Sequence, residues 1–453
     1  MTDSPVPNCK IVVFDDDPTG SQTVHSCLLL LRWTVETLVV ALRDPSPIFF
    51  VLTNTRSLPP REAEAVTRGL CRNLKQALNC VGNLDKPVPD VMIVSRSDST
   101  LRGHYPLEPK TIDEELGPFD AQFLVPAFLE GGRITKNSVH FVVTKEQGQT
   151  VATPVHKTEF ARDPAFPFEH SFLPDYIQEK TQGEILSSQV ERLEISHLRG
   201  DRFHLVEHLV TYHSNQPVTV DGATQQDLDN FAAALRAAQA IASKRYLFRS
   251  AASLLTSLAN LPPQEIAPEN MGRYCRSEFP GVIIVGSYVE KTTQQLHHLL
   301  QQPGAIALEI PVAQLTESNW IHYARTLQTQ LHHHWHQHQT PVVHTSRNPH
   351  RTDPGQTTNL ITSLITHLVH TLPQSTSYLI SKGGITTNNI LSQSLDLTAV
   401  RLLGQIIPGV SLITTPRDHP QYPHLPVVTF PGNVGGVADL TEVYRRLTTA
   451  SPD

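Results

Sequence analysis

IVVFDDDPTGSQ, residues 11–22, runs an apolar segment straight into three successive carboxylates, Asp15, Asp16 and Asp17. An apolar run of strand length ending in a polar tail with Pro and Gly reads as a buried strand opening into a loop. Like charges this close raise one another's pKa, so the loop needs a compensating cation or charged ligand. The same pattern recurs in SPIFFVLTN (46–54), PDVMIVSRSD (89–98) and QFLVPA (122–127). Between SPIFFVLTN and PDVMIVSRSD, the segment REAEAVTRGLCRNLKQALNC carries its apolar residues at helical spacing. Strand, helix, strand in this order predicts βαβ units and a mainly parallel sheet flanked by helices, an α/β class. In such sheets the working residues lie beyond the strand C-termini, which puts DDDPTG, TNTRS and SRSDSTLRG on one edge.

Residues 131–200 are richer in Gly, Pro and charge and predict an insertion or an extra layer. Alternation resumes with QPVTVDGATQQDLDNFAAAL and KRYLFRSAASLL. The stretch LANLPPQEIAPENMGRYCRSEFP (258–280) has linker character, and a second α/β unit follows it. Its strands are GVIIVGSY, GAIALEI, PVVHTS, SYLISKGG and LPVVTFPGN; its helices include VEKTTQQLHHLLQQ and TNLITSLITHLVHTL. Two domains are expected, 1–250 and 251–453, with the break within about 250–280.

Bulk properties exclude several classes. With 453 residues, 39% hydrophobic and 17% charged, the chain reads as globular with more than one core. A net charge of -7 without a Lys/Arg-rich stripe argues against nucleic acid as a partner. No apolar stretch approaches the roughly 20 residues of a membrane span, and MTDSPVPNCK lacks the order of a signal peptide. Cys9, Cys27, Cys71, Cys80 and Cys275 form no CxxC pair, as expected of free thiols in a cytoplasmic protein without a zinc framework. In LHHHWHQHQT (331–340), His332 with His336 and His334 with His338 have i,i+4 spacing. Nothing supplies the carboxylate or supporting contacts of a metal site, so this reads as a solvated helix face.

Two functional readings compete for the opening motif. Asp15, Asp17 and Thr19 satisfy the DxDx(T/V) signature of the haloacid-dehalogenase phosphatases, and FVLTN (50–54) resembles the second motif of that superfamily. Its later acidic pair is missing, VTVDGATQQD (218–227) being the nearest candidate. The other reading covers the whole chain. DDDPTGS resembles the DDLTGA opening of the four-carbon acid sugar kinase family, and RSDSTLRG (96–103) its K-x-DSTLRG string. VPAFLEGGRIT (125–135), TEFARDP (158–164) and DGATQQDL (221–228) continue the resemblance. So do VGSYVEKTTQQ (285–295), KGGITTNN (382–389), LGQIIPGV (403–410) and FPGNVGG (430–436), in the family's order. The chain departs from the pattern at Arg96 and Phe430, where the family carries Lys, so it resembles a divergent branch.

The resemblance implies an N-terminal sugar-acid domain, a C-terminal nucleotide domain and an active site in the cleft between them. It implies a phosphotransferase with an alcohol acceptor, using ATP and Mg²⁺ on an aldonate or keto-aldonate. Partners would be the small sugar acid and ATP, with a homodimer possible. The residue types suit phosphoryl transfer, which depends on positioning and charge stabilisation. Arg56, Arg96, Arg102 and Arg133 can clamp a substrate carboxylate through paired guanidinium donors. Asp98, Ser99 and Thr100 can bond sugar hydroxyls beside Gly103, and one of Asp16, Asp17 and Asp98 would accept the attacking hydroxyl's proton, with Asp17 preferred. Asp15 would touch substrate, orient its neighbours or share a metal whose ligands are unknown. Ser287, Lys382, Gly383, Gly384, Ile385, Thr386, Gly432 and Asn433 lie on three glycine loops that can cradle phosphate. Lys382 would place on those phosphates the charge that Phe430 lacks. The alternatives are the Mg²⁺-dependent phosphatase built on Asp15 and Asp17, and a sensor that binds sugar acid or nucleotide without turnover.

Overall fold

The strand Cys9–Asp15 lies parallel to Ile48–Leu52 on one side and to Asp90–Arg96 on the other. The computed structural model describes residues 9–17, 20, 23–82, 90–146, 149–287, 289–346 and 354–448. The chain divides into two compact units between Pro262 and Pro263.

In the first unit the strand order is Leu28–Leu30, Ile48–Leu52, Cys9–Asp15, Asp90–Arg96, Tyr246–Ser250, Ala121–Val125, Gln216–Val220 and Glu191–Leu193, all parallel. These strands are apolar almost without interruption because parallel sheets are covered on both faces. The helix Pro60–Gly82 starts with proline, whose fixed φ suits a first turn. It buries Ala63, Thr67, Leu70, Leu74, Ala77 and Val81, a stripe of three- and four-residue steps. Gln225–Ala242 begins with Thr224 as N-cap, its side chain accepting from the Asp227 amide. Residues 131–200 do form an extra layer. Arg133–Lys136, Val139–Glu146 and Gln149–Pro154 make an antiparallel sheet of three strands. Val142 joins Leu101, Tyr105, Phe168, Leu173 and Tyr176 in a core of its own.

In the second unit Val282–Val285 is again flanked on both sides in parallel, by Thr340–Thr345 and Leu379–Lys382. Ala305–Ile310 lies outside Thr340–Thr345, and Pro426–Phe430 outside Leu379–Lys382. Beyond Pro426–Phe430 the direction reverses into Val410–Thr414 and Ala399–Ile407. That hairpin was not legible in LGQIIPGV; its turn places Gly409 at a φ of 77°, which glycine adopts without strain. The helix Trp320–His336 buries Ala324, Leu327, Leu331 and Trp335. Its histidines make ordinary contacts: His332 Nε2 is 2.6 Å from the Thr371 carbonyl and His334 Nδ1 is 2.7 Å from Gln339 Oε1. Among the described residues no group of three His, Cys, Asp or Glu could hold a metal, and no helix is long and apolar enough to cross a membrane.

One feature of this topology positions chemistry. In each unit the first strand lies between two parallel neighbours, so the loops that follow the C-terminal ends of all three strands share one sheet edge. In the first unit the first strand's end is Asp15–Asp17; in the second it is Gly286–Ser287.

Packing in the first unit centres on Phe123, which is fully buried with ring centroids of Phe231, Tyr246 and Phe248 at 5.1, 5.3 and 5.4 Å. Phe123→Ala should destabilise the protein by about 3–5 kcal/mol. Urea unfolding followed by fluorescence checks this, and a loss below about 1 kcal/mol would show that the aromatic cluster is not a main support of the sheet.

Candidate functional site

Asp15 ends its strand with a side chain only 1% exposed. Its carbonyl accepts from the Thr53 amide and hydroxyl, both at 2.9 Å, and its Oδ1 lies 3.3 Å from Arg96 Nη1. Its Oδ2 is buried with no hydrogen-bond partner. A Cβ on Gly20 would fall 2.0 Å from Asp15 Oδ1, so only glycine lets the loop close over this carboxylate. Burial pushes the Asp15 pKa up to about 7, against the pull of Arg96. Asp16 is buried as well: its Oδ2 accepts from the Ser97 hydroxyl at 2.9 Å, and its Oδ1 is 3.5 Å from the same Arg96 Nη1. Asp17 differs in having a side chain 19% exposed, and it pairs with Arg56. Pro18 and Thr19 lie outside the described residues.

Arg56 extends its other terminal nitrogen to Asp98, 3.4 Å from Oδ1. Asp98 Oδ2 accepts from Arg102 Nε at 2.8 Å, from the Thr100 amide at 3.3 Å and from the Thr100 hydroxyl. Burial alone would raise the Asp98 pKa, but Arg102 and Arg56 outweigh it and hold the carboxyl well below the usual range. Ser99 is buried, its carbonyl 2.7 Å from His140 Nε2. Gly103 has a φ of 127°, and a Cβ there would fall 2.5 Å from Ser97 Oγ. Arg102 and Arg133 both lie over the Phe160 ring, 5.1 and 5.9 Å from its centroid. Arg133 bonds the Gly131 carbonyl at 2.5 Å, and its Nε has no partner. This network thus consists of two ion-pair groups, Arg96 with Asp15 and Asp16, and Arg56 and Arg102 with Asp17 and Asp98. They are joined where the Asp17 amide donates to Asp15 Oδ1 at 3.3 Å; Arg133 shares the Phe160 ring with Arg102.

Behind this network stands a pair that the sequence reading missed. Arg249, 3% exposed in the strand Tyr246–Ser250, donates to Glu108 Oε2 at 2.6 Å, Ser95 Oγ at 2.7 Å and Ser97 Oγ at 2.7 Å. Ser97 in turn donates to Asp16, so Arg249 fixes the acid through one hydroxyl. The signal was present in YLFRS, an arginine inside an otherwise buried strand, where an unpaired charge would not be tolerated. A small pocket of about 20 Å³ opens between Asp98, Arg102, Tyr105, Tyr176 and Arg249. The acids that the phosphatase reading would need are committed elsewhere. Asp221 accepts the amides of Asn137, Ser138 and Ile195 at 2.8, 2.8 and 3.1 Å, and Asp227 pairs with Arg199 at 2.7 Å.

In the second unit, a cavity of about 280 Å³ is bounded by the three glycine turns and by Ile361, Ile365 and Asn389. Gly286, Ser287, Gly383, Gly384, Ile385, Thr386 and Gly432 all line it. A Cβ on Gly286 would lie 2.0 Å from Thr386 Oγ1, so the first two turns touch where only hydrogen fits. Thr292 Oγ1 is 3.2 Å from Ser287 Oγ and 3.0 Å from the Gly432 carbonyl, tying the first turn to the third. Asn433 sits half-buried in the third turn. Lys382 is not on the cavity wall: it is fully buried, 3.9 Å from the centroid of the Phe430 ring, its register partner on the neighbouring strand.

Comparison with known proteins follows the same division. Residues 11–258 match the family described as a sugar-binding N-terminal domain, and residues 282–440 the nucleotide-binding C-terminal domain. The chain belongs to the four-carbon acid sugar kinase family. A D-erythronate kinase of Heliobacterium modesticaldum is 26% identical over 240 residues, 49% of this chain and 47% of that protein. The match therefore spans about half the length of that relative. A solved protein of Salmonella typhimurium LT2 superposes with a TM-score of 0.69 at 16% identity, covering 96% of this chain and 99% of the other. Haemophilus influenzae protein HI1011 gives 0.64 at 17%, covering 96% and 100%. These two likenesses show the fold.

Asp15 generates a stability signature. Because burial raises its pKa above the unfolded value, the folded state disfavours its ionisation, and stability falls as pH rises through about 7. The isosteric Asp15→Asn does not titrate, so it should gain stability relative to the parent as pH climbs from about 5 to 8. Urea melts across that range test the sign. A constant difference would show that Asp15 is already ionised throughout.

Proposed function

We propose that the protein is an ATP- and Mg²⁺-dependent kinase that phosphorylates a hydroxyl of a small sugar acid, an aldonate or keto-aldonate of four carbons or similar size. The observation that carries this reading is the convergence of Asp15, Asp16, Asp17 and Asp98 with Arg56, Arg96 and Arg102 at one sheet edge. Guanidiniums at that edge suit a substrate carboxylate, and ionised acids suit its hydroxyls. Family membership supports it, and erythronate, named in the Heliobacterium relative, is the first acid to try.

Asp17 is the proposed base. It is the most exposed of the three consecutive acids, whereas Asp15 lies under Gly20 and Asp16 under Ser97. Asp98, kept ionised by Arg102 and Arg56, accepts sugar hydroxyls and orients Thr100. Nucleotide fits the second unit, with Ile361, Ile365 and Ile385 against the base and the glycine turns beneath the phosphates. Mg²⁺ commonly takes one or two carboxylates together with phosphate oxygens. Asp16, whose Oδ1 is buried without a hydrogen-bond partner, and Asp17 are the acids suited to it. The ion would neutralise phosphate charge when bound.

A panel of aldonic and keto-aldonic acids, assayed for ADP release with Mg²⁺-ATP, tests the reading. One acid should stimulate ADP production, and Asp17→Asn should lower kcat by about 100-fold or more while leaving acid binding in place. Nucleotide-independent phosphate release from phosphosugars would instead support the phosphatase. Binding of acid and nucleotide without turnover across the panel would support the sensor.

A further inference from the structure

Lys382 touches all three glycine turns of the second unit. Its carbonyl accepts from the Gly286 amide at 3.2 Å and the Ser287 amide at 3.4 Å. Its side-chain nitrogen donates to the Pro431 carbonyl and lies 3.5 Å from that of Gly432. The next residue, Gly383, donates its amide to the Phe430 carbonyl at 2.9 Å. With a φ of 118°, Gly383 then turns the chain towards Ser287, where a Cβ would meet Ser287 Cβ at 3.1 Å. The amine is surrounded by two carbonyls and an aromatic face, all acceptors of positive charge, and it has no exposed surface.

We propose that Lys382 is a positioning residue for the nucleotide pocket, clamping the Pro431–Gly432 turn onto the Gly286–Ser287 and Gly383–Gly384 turns so that one anion meets all three together. The inference rests on the nucleotide reading of that pocket. It differs from the sequence expectation of a lysine laid directly on the phosphates, since the ammonium lies behind the loop.

The clamp has a proton attached to its operation. Among the described residues two charged groups act on the amine: Lys291 from the helix Glu290–Leu299, which repels it, and Asp439 from the helix Asp439–Thr448, which attracts it. Asp439 is itself engaged, its Oδ2 accepting the Gly436 amide at 2.8 Å. Burial first, then Lys291, lowers the amine to about 6, with Asp439 opposing. An anion at Gly432 adds negative charge nearby and favours the ammonium. The loaded state therefore holds the proton to higher pH than the free state. Binding takes up a proton, and affinity falls as pH rises between about 6 and 8.

Titration calorimetry of the full chain with Mg²⁺-ADP, in buffers of different ionisation enthalpy at pH 7.5, tests this. The parent protein should bind with proton uptake and lose affinity towards pH 8. Lys382→Met should bind about tenfold or more weakly, with no uptake and a flat pH profile. Binding by the parent without uptake, or an unchanged affinity and pH profile in Lys382→Met, overturns the clamp alone. A parent protein that binds no nucleotide overturns the pocket reading and the clamp with it. Should Lys382→Met not fold, the buffer dependence of the parent decides by itself.

Discussion

Arg96 stands between Asp15 and Asp16, one guanidinium nitrogen 3.3 and 3.5 Å from their carboxylates, and the first unit depends on that contact. Burial and the neighbouring Asp16 both push the Asp15 carboxyl towards its neutral form, and Arg96 opposes them. Arg96 neutralises only part of the excess. Asp15 Oδ2 and Asp16 Oδ1 lack hydrogen-bond partners, and Asp15 is left with a pKa of about 7. The edge is thus built with unmet electrostatic demand. Sites of that kind are found where a ligand completes the arrangement, since a purely structural cluster would be satisfied internally.

The sheet explains why the demand arises where it does. Cys9–Asp15 has parallel partners on both sides, so its C-terminal end opens onto the same sheet edge as theirs. Asp90–Arg96 ends in the same layer and delivers Arg96, Ser97 and Asp98 there, while Tyr246–Ser250 delivers Arg249 behind them. The second unit repeats the device with different chemistry. Val282–Val285 ends in Gly286, where a side chain is excluded by Thr386, and the cavity there is lined by glycine backbone, aliphatic groups and uncharged polar side chains instead of charges.

Most of this was legible because parallel strands advertise themselves. IVVF, IFFVL and VIIV are continuous apolar runs, and the polar residues that follow them must sit at the sheet edge. What the sequence could not show was which charges pair across space. Arg249 lies 141 residues from Glu108 and 152 from Ser97, and no local pattern links them. The hairpin Ala399–Thr414 was hidden for another reason: its strands are apolar but their direction depends on the turn at Gly409. Lys382 was read as a cofactor-binding residue beside the glycine loops, yet its orientation follows from register with Phe430, which spacing alone does not reveal.

The substitution at position 430 then acquires a physical meaning. An aromatic ring in a buried parallel strand offers its face to the adjacent strand, and Lys382 is the residue in register there. A lysine at both positions would bury two ammonium groups side by side, which neither carbonyls nor Asp439 could offset. Phe430 and Lys382 are therefore best understood as one unit: the ring supports the amine, and the amine holds the turn that the ring precedes. The amine near the pocket is kept, but it is moved one strand over and placed behind the loop, where its protonation answers to what the loop binds.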